Sequence, residues 1–348
     1  MAKNESLINA SAAKQDEFYT TYDSIQKELN YYEDKFIGKT IFCNCDDPFE
    51  SNFCKFFMRN FNYLKLKRLI CTSYSGSSIL GTQLSLFDDY NKPLNNIHGY
   101  VLDINEIPMN NGRGISDDDI NWILHQQKIV KRLKGDGDFR SEECIKYLKQ
   151  SDIVITNEPF SLFREYIKQI FDYNKQFLII GNTNNITYKE TFPLLKNNLM
   201  WLGVNHGDMK FTVPNNYPPR KSRFWIDENG QKWRSFGNIC WFTNLDYAQR
   251  HEDLILYKSY SEKEYKEYDN FKAIEVSKVA DIPMDYSGIM GVPITFLDKY
   301  NPDQFEIIGL DRYTVPSDQL VGGRLSVDGK TKYARILIKN KRVKKNEN

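Results

Sequence analysis

Apolar and polar positions along this 348-residue chain change their period several times. Residues 1–15 are polar and read as a flexible N-terminus. Residues 16–36, DEFYTTYDSIQKELNYYEDKF, place Ile25 and Leu29 four apart, which predicts a helix. GKTIFCNCDDP reads as a strand meeting an acidic turn. ESNFCKFFMRNFNYLKL predicts a helix with Phe53, Phe56, Phe57 and Phe61 on its apolar face, and KRLICTSY a further strand. Residues 75–96 are loop-rich. HGYVLDINEI reads as a strand, and DDDINWILHQQKIVKRL as a helix with acids in its first turn. A Gly-rich turn, GDGDFRS, precedes the short helix SEECIKYLKQ. Then follow the strand Ile153–Ile155 ending on Asn157-Glu158-Pro159-Phe160, the helix LFREYIKQIFDYN, the strand QFLIIGN and the short helix TYKETFPLLKNN.

A strand–turn–helix order repeated four times predicts an α/β fold with a mainly parallel sheet. Ligands of such sheets sit at the carboxyl ends of the strands, so CNCDDP, GDGDF and NEPF fall on one rim. After about Trp201 the pattern changes to short aromatic strands, Pro-Pro and Gly turns, which predict an antiparallel accessory region. GVPITFLDKY and KYARILIKN read as closing strands. No internal repeat is present.

Composition adds less than pattern. Hydrophobic residues make up 41% of the chain, enough for a full core, and the aromatic share of 14% suggests that some rings stack flat ligands. The net charge of +1 predicts no partner, but from Leu310 to Lys345 ten Lys and Arg stand against three acids. That stretch reads either as a solvated basic tail or as a phosphate-facing surface. The six cysteines (43, 45, 54, 71, 144 and 240) match no zinc ligand spacing and are expected to be reduced, as in a cytoplasmic protein. The four histidines form no metal pattern. No apolar run approaches the roughly 20 residues of a membrane span.

The corner at Asn157 carries the most specific chemistry. The Asn157 side-chain oxygen and the backbone carbonyl that follows are two acceptors held close together. Pro159 biases Glu158 toward an extended conformation, and Phe160 adds a flat face. Together they suit a planar ring bearing an exocyclic NH2. An ordinary strand-to-helix turn capped by Asn uses the same residues.

Several stretches carry a resemblance to the EcoRI-type adenine-N6 DNA methyltransferases: DEFYTTYDSI, FCNCDDPFESNF, GDGDFRSEEC, TNEPFSLFREYI, FLIIGNTNNITYKE and GVPITFLDKYNPDQFEIIG. They extend over most of the chain in the family's order. The resemblance implies a Rossmann-like S-adenosylmethionine-dependent methyltransferase fold, with a C-terminal mixed or antiparallel target-recognition region. The expected division is a flexible N-terminus (1–15), a catalytic cofactor-binding domain (16–203) and the target-recognition region (204–348). It implies that Phe18, Tyr19, Thr20, Asn44, Cys45, Asp46, Asp47, Asp138 and Phe139 line the cofactor site. Asn157, Glu158, Pro159 and Phe160 stand where the family has the catalytic Asn-Pro-Pro-Phe.

The resemblance also implies double-stranded DNA as substrate. A target adenine inside a duplex must be flipped out to reach the corner. A monomer in the cytoplasm is expected, and a cognate restriction endonuclease partner, phage protection and gene control stay open as biological roles. Donors for the DNA are expected among Arg220, Lys221, Arg223, Arg324, Lys332 and Arg335, for phosphate or base contact.

The chain departs from the family at Glu158. A carboxylate there would attract a sulfonium by about 3 kcal/mol at about 5 Å and an effective dielectric of about 20. Attraction in the ground state alone slows methyl transfer, because that charge fades in the transition state. Alternatively, the carboxyl is protonated or turned to solvent. Two further readings stand beside an active enzyme: an impaired protein that binds DNA and cofactor without turnover, and a methyltransferase acting on RNA or a small amine.

Overall fold

A computed structural model describes residues 18–74, 98–108, 115–126, 129–215 and 217–343. The flexible segment expected at 1–15 and the loop-rich stretch at 75–96 lie outside the described residues. The chain forms two compact units, one of residues 1–182 and 205–245, the other of residues 183–204 and 246–348.

The first unit is built on a ten-stranded mixed sheet. In chain order its strands are β1 (Tyr19–Thr20), β2 (Thr40–Asn44), β3 (Arg68–Ser73), β4 (Tyr100–Ile104), β5 (Val130–Arg132), β6 (Ile153–Thr156), β7 (Gln176–Asn182), β8 (Trp201–Val213), β9 (Phe224–Ile226) and β10 (Lys232–Thr243). Their spatial order is β1-β8-β10-β7-β6-β2-β3-β4-β5, with β9 paired to β10. The four central strands β7, β6, β2 and β3 are parallel. Both flanks are antiparallel, so the sheet is parallel only at its centre.

The central strands are covered on both faces, which is why β2 and β6 read as unbroken apolar runs and are buried throughout. The helix Asn52–Arg59 buries Phe53, Cys54, Phe56, Phe57 and Met58, and Ser51 caps it by accepting from the N–H groups of Phe53 and Cys54. The helix Phe163–Asp172 buries Phe163, Tyr166, Ile167 and Ile170.

Three sequence expectations change here. Tyr19–Thr20 is not helical but a strand beside Phe211–Thr212, and the helix begins at Tyr22 behind a Thr21 cap. The helix expected across residues 117–133 ends at Gln126, because Val130–Arg132 pairs with Tyr100–Leu102. The aromatic segment after Trp201 is not a separate sheet. β10 pairs along Ile239–Thr243 with β7 and extends the ten-stranded sheet, which buries Trp241 completely.

One glycine of the GDGDF turn is required by its backbone. Gly137 has φ +81°, and a Cβ there would lie 2.0 Å from the Ser73 carbonyl oxygen. Gly99 approaches the same oxygen, where a Cβ would lie at 2.4 Å. This close approach seats Asp138 and Phe139 beside the end of β3.

The second unit holds a five-stranded mixed sheet in the order β11-β12-β13-β17-β14 and a two-stranded ribbon, β15 (Ser326–Val327) with β16 (Lys330–Thr331). The five strands are β11 (Glu267–Tyr268), β12 (Phe271–Glu275), β13 (Met290–Pro293), β14 (Phe305–Leu310) and β17 (Arg335–Asn340). GVPITFLDKY is strand only as far as Pro293, and a 3₁₀ turn follows over Ile294–Lys299. Tyr268, Ala273, Val315, Leu325, Val327 and Leu337 form a core cluster.

Three of the ten basic residues in the C-terminal stretch are paired with acids of the same unit. Arg335 is buried, and its guanidinium donates to both Glu275 oxygens, with Nη2–Oε1 at 2.7 Å. Tyr268 and Ser277 donate hydroxyl protons to the same carboxylate. Arg324 reaches the buried Asp311, and Arg342 pairs with Asp253. Lys344 and Lys345 lie outside the described residues. Arg335 therefore belongs to the fold of this unit rather than to a phosphate-facing surface. Removing one partner of such a pair leaves a buried charge unbalanced, at about 3–5 kcal/mol. Arg335→Ala should lower the urea midpoint of the protein markedly, whereas Lys332→Ala should leave it almost unchanged. Equal, small shifts would show the guanidinium to be dispensable.

Candidate functional site

The site grows from the parallel pairing of β2 with β6, Ile41 beside Ile153 and Phe42 beside Val154. That register brings the two strands to an end side by side. β2 runs into the turn Asn44–Asp47, where Cys45 adopts φ +72°, a left-handed backbone uncommon for a residue with a side chain. β6 runs into Asn157–Phe160. The Thr156 hydroxyl lies against the Asn44 carbonyl and 2.6 Å from Asp46 Oδ2, joining the two ends.

Burial pushes the Asp46 carboxyl up to about 7, against hydrogen bonds from Thr156 and Ser51 that favour its charged form. Asp47 is also raised by burial, to about 6, although its Oδ1 accepts from the backbone N–H groups of Phe49 and Glu50. Its second oxygen is buried without a partner.

Two amides pin the N-terminal segment to this rim. Asn52 Nδ2 donates to the Thr20 carbonyl at 2.7 Å, and Asn157 Nδ2 to the Phe18 carbonyl at 2.6 Å. The second bond fixes the orientation of the Asn157 amide, because a carbonyl can only accept. Its Oδ1 is consequently aimed elsewhere, and it is buried with no partner. Phe18 and Phe160 approach at 5.7 Å, and Phe211, Phe236 and Tyr217 complete an aromatic group around Phe18.

Of the alternatives left open for Glu158, the structure excludes a side chain turned to solvent. Its side chain turns inward and is 2% exposed, with neither carboxyl oxygen hydrogen-bonded to another side chain. Burial raises its carboxyl well above the usual range, its own backbone N–H opposes this, and Asp46 adds to it. Its carboxyl is therefore shifted toward the neutral form. Pro159 takes φ −56° and starts a 3₁₀ turn over Phe160–Leu162 that leads into the helix Phe163–Asp172.

Asp138 and Phe139 reach the same rim with different roles. Asp138 is held below the ordinary carboxylate range by hydrogen bonds from Arg140, at 2.9 Å from Nε and 2.7 Å from Nη2. Phe139 is buried and packs edge-on against Tyr166, with ring centres 5.1 Å apart. Tyr166 was not anticipated. Its hydroxyl and Thr20 Oγ1 are buried without a hydrogen bond to an acceptor, and Gln169 Oε1 is buried without a donor. The helical period marks Tyr166 only as a buried position, and nothing local distinguishes it from core. Phe211, Phe236 and Tyr217 were missed because they arrive from the distant β8–β10 region.

Of the basic candidates, Arg220, Lys221 and Arg223 are exposed in the segment leading into β9. Arg220 lies over the Tyr217 ring, and Arg223 pairs with Asp208. Trp225 and Trp233 stack nearly parallel at 6.0 Å on the β9–β10 hairpin. No cluster of three His, Cys, Asp or Glu able to hold a metal occurs among the described residues, and no helix among them is long and apolar enough to cross a membrane.

A carboxyl whose pKa is raised by folding contributes most below its unfolded pKa and destabilises as pH rises toward its folded value. For Asp46 the rise to about 7 corresponds to roughly 4 kcal/mol above that pH. Glu158 has the same sign. Glu158→Gln should therefore melt progressively higher than the unsubstituted protein as pH is raised from about 5 to about 8. A melting difference that does not change with pH would show that the carboxyl does not carry this cost.

Comparison with known proteins matches the chain to one family over nearly its whole length. The family model described as "Adenine-specific methyltransferase EcoRI" matches residues 6–341. The chain is 46% identical to the Type II methyltransferase M.EcoRI of Escherichia coli, covering 99% of both chains. It is 36% identical to the Type II methyltransferase M.MgeORF184P of Mycoplasma genitalium, over 96% of this chain and 98% of that one. A third relative, M.MpnI of Mycoplasma pneumoniae, is 35% identical over 95% of this chain and 97% of its own. No solved structure matches. With the parallel strand ends, the acidic turn and the Asn157 corner brought together on one rim, the chain belongs to the EcoRI family of adenine-specific methyltransferases.

Proposed function

We propose that this methyltransferase acts on DNA, transferring a methyl group from S-adenosylmethionine to adenine N6 within a specific sequence, with the target base flipped out of the duplex. The observation that carries this reading is Asn157. Its amide nitrogen is tied to the Phe18 carbonyl, and its oxygen is buried, oriented and unpartnered. A buried acceptor without a donor is costly unless a ligand supplies one. The exocyclic amine of a flipped adenine supplies two N–H groups. One suits Asn157 Oδ1 and the other the Glu158 carbonyl, while Phe160 and Phe18 offer ring faces.

The difficulty of the reaction lies in that amine, whose lone pair is delocalised into the ring. Acceptors drawing on both protons favour a tetrahedral nitrogen with a localised pair. By analogy with oxyanion donors, each is worth roughly 3–4 kcal/mol in the transition state. S-adenosylmethionine, when bound, supplies an electrophilic methyl group on a sulfonium.

The residues present fit that cofactor. Buried polar atoms without partners gather on one rim: Asp47 Oδ2, Thr20 Oγ1 and Tyr166 OH. In this reading the turn Asn44–Asp47 holds the amino-acid end. Phe18–Thr20 closes over it, and Phe139 with Asp138 flanks the adenine end. Arg220, Lys221 and Arg223 are the exposed cations offered to the DNA, supported by the adjacent Trp225–Trp233 stack.

A labelled methyl donor with mixed-sequence DNA tests this function. Label should enter DNA adenine and not RNA, and Asn157→Ala should lower kcat about 100-fold to 1,000-fold while the fold is retained. Incorporation into RNA, or none into DNA at any enzyme concentration, would refute the reading. Base flipping is tested separately. A 2-aminopurine at the target position should brighten on binding, and an unchanged signal on a DNA that is methylated would exclude extrusion.

A further inference from the structure

The described site contains a group that the general chemistry of amine methylation does not require, the Glu158 side chain. It lies between the two halves of the rim. Its backbone belongs to the corner that would hold the acceptor amine, while its carboxyl lies within electrostatic reach of Asp46 in the turn assigned to the donor. Both oxygens are buried and neither meets another side chain's donor. The methyl group must cross this interval. We propose that the Glu158 carboxyl is a charge-sensing contact for the methyl donor, giving up a proton when the sulfonium binds and regaining one once the sulfur has become a neutral thioether. This inference rests on the proposed use of S-adenosylmethionine.

The surroundings of Glu158 support that cycle. The titratable groups it interacts with are Asp46 and Cys45 on the turn after β2 and Tyr166 on the helix after the corner. Of these, Asp46 pushes toward the neutral carboxyl in the free protein. Burial acts in the same direction. A cation placed nearby reverses this preference, because a low-dielectric site strengthens its attraction to a carboxylate.

The proton balance closes. Donor binding moves one proton from Glu158 to solvent. After transfer the sulfur carries no positive charge and the methylated amine sheds one proton, so the solution supplies what Glu158 regains. The functional consequence is discrimination: the site holds the charged donor more tightly than its demethylated product, which favours product exchange.

Binding measurements separate this contact from the rest of the site. The affinities of S-adenosylmethionine and S-adenosylhomocysteine are measured by calorimetry across pH, in buffers of differing ionisation enthalpy. Protonation changes imposed by the shared amino-acid end cancel in the difference between the two ligands, and the Glu158 variants isolate the share of the remainder that belongs to Glu158 rather than Asp46. The expected result is one more proton released with the sulfonium ligand. Below the free-state pKa of Glu158, that ligand's affinity advantage should grow by up to about tenfold for each unit by which pH is raised.

Glu158→Gln, which keeps the shape, and Glu158→Pro, which removes the side chain, should each abolish the differential proton release. Equal proton release and parallel pH profiles for the two ligands in the unsubstituted protein would overturn the inference while leaving the cofactor assignment intact. Binding of neither ligand would overturn the cofactor assignment and this inference with it.

Discussion

The site depends on the parallel pairing of β2 with β6. Because the two strands run in the same direction and end together, an acidic turn and an amide corner separated by about a hundred residues become neighbours. The Thr156 hydroxyl bridges them, touching both the Asn44 carbonyl and Asp46. Slipping one strand by a single residue would turn its side chains to the opposite face and break this contact. Neither half is a site alone. One offers carboxyls and a helix N-terminus, the other two acceptors and a ring.

Around that junction the protein keeps several buried polar atoms that its own fold does not satisfy. Asp47 Oδ2, Asn157 Oδ1, both Glu158 oxygens, Thr20 Oγ1 and Tyr166 OH lie on the elements that converge there. A fold selected for stability alone would pair or remove such groups. Such groups, together with the left-handed backbone at Cys45, fit the proposed use of this rim as a binding site. The carboxyls of Asp46, Asp47 and Glu158 all respond by shifting toward the neutral form.

Charge counting and charge placement diverge in the C-terminal stretch. A run with ten basic residues against three acids invites a phosphate-binding reading. In the folded unit, Arg335 serves Glu275, Arg324 serves Asp311 and Arg342 serves Asp253. Their acidic partners at 253 and 275 lie outside the counted window, so a local count of net charge could not register them. The segment Arg220–Arg223 has a less conspicuous local excess, yet it keeps its side chains at the surface.

Strand and helix periods in the sequence were enough to establish the α/β alternation, the central strands and the turn-to-helix corner. Each of these depends on neighbours within a few positions. Motif resemblance placed the acidic turn, Phe18–Thr20 and Asn157–Phe160, and the fold does bring them together. Tertiary structure decided what depends on pairing at long range. It made Val130–Arg132 a strand against Tyr100–Leu102 and took β8 and β10 into the main sheet. It oriented the Asn157 amide through the Phe18 carbonyl and turned Glu158 inward rather than to solvent. A side chain's ionisation is set by the atoms around it, so the upward shift at Glu158 became legible only when burial and Asp46 were set around the corner.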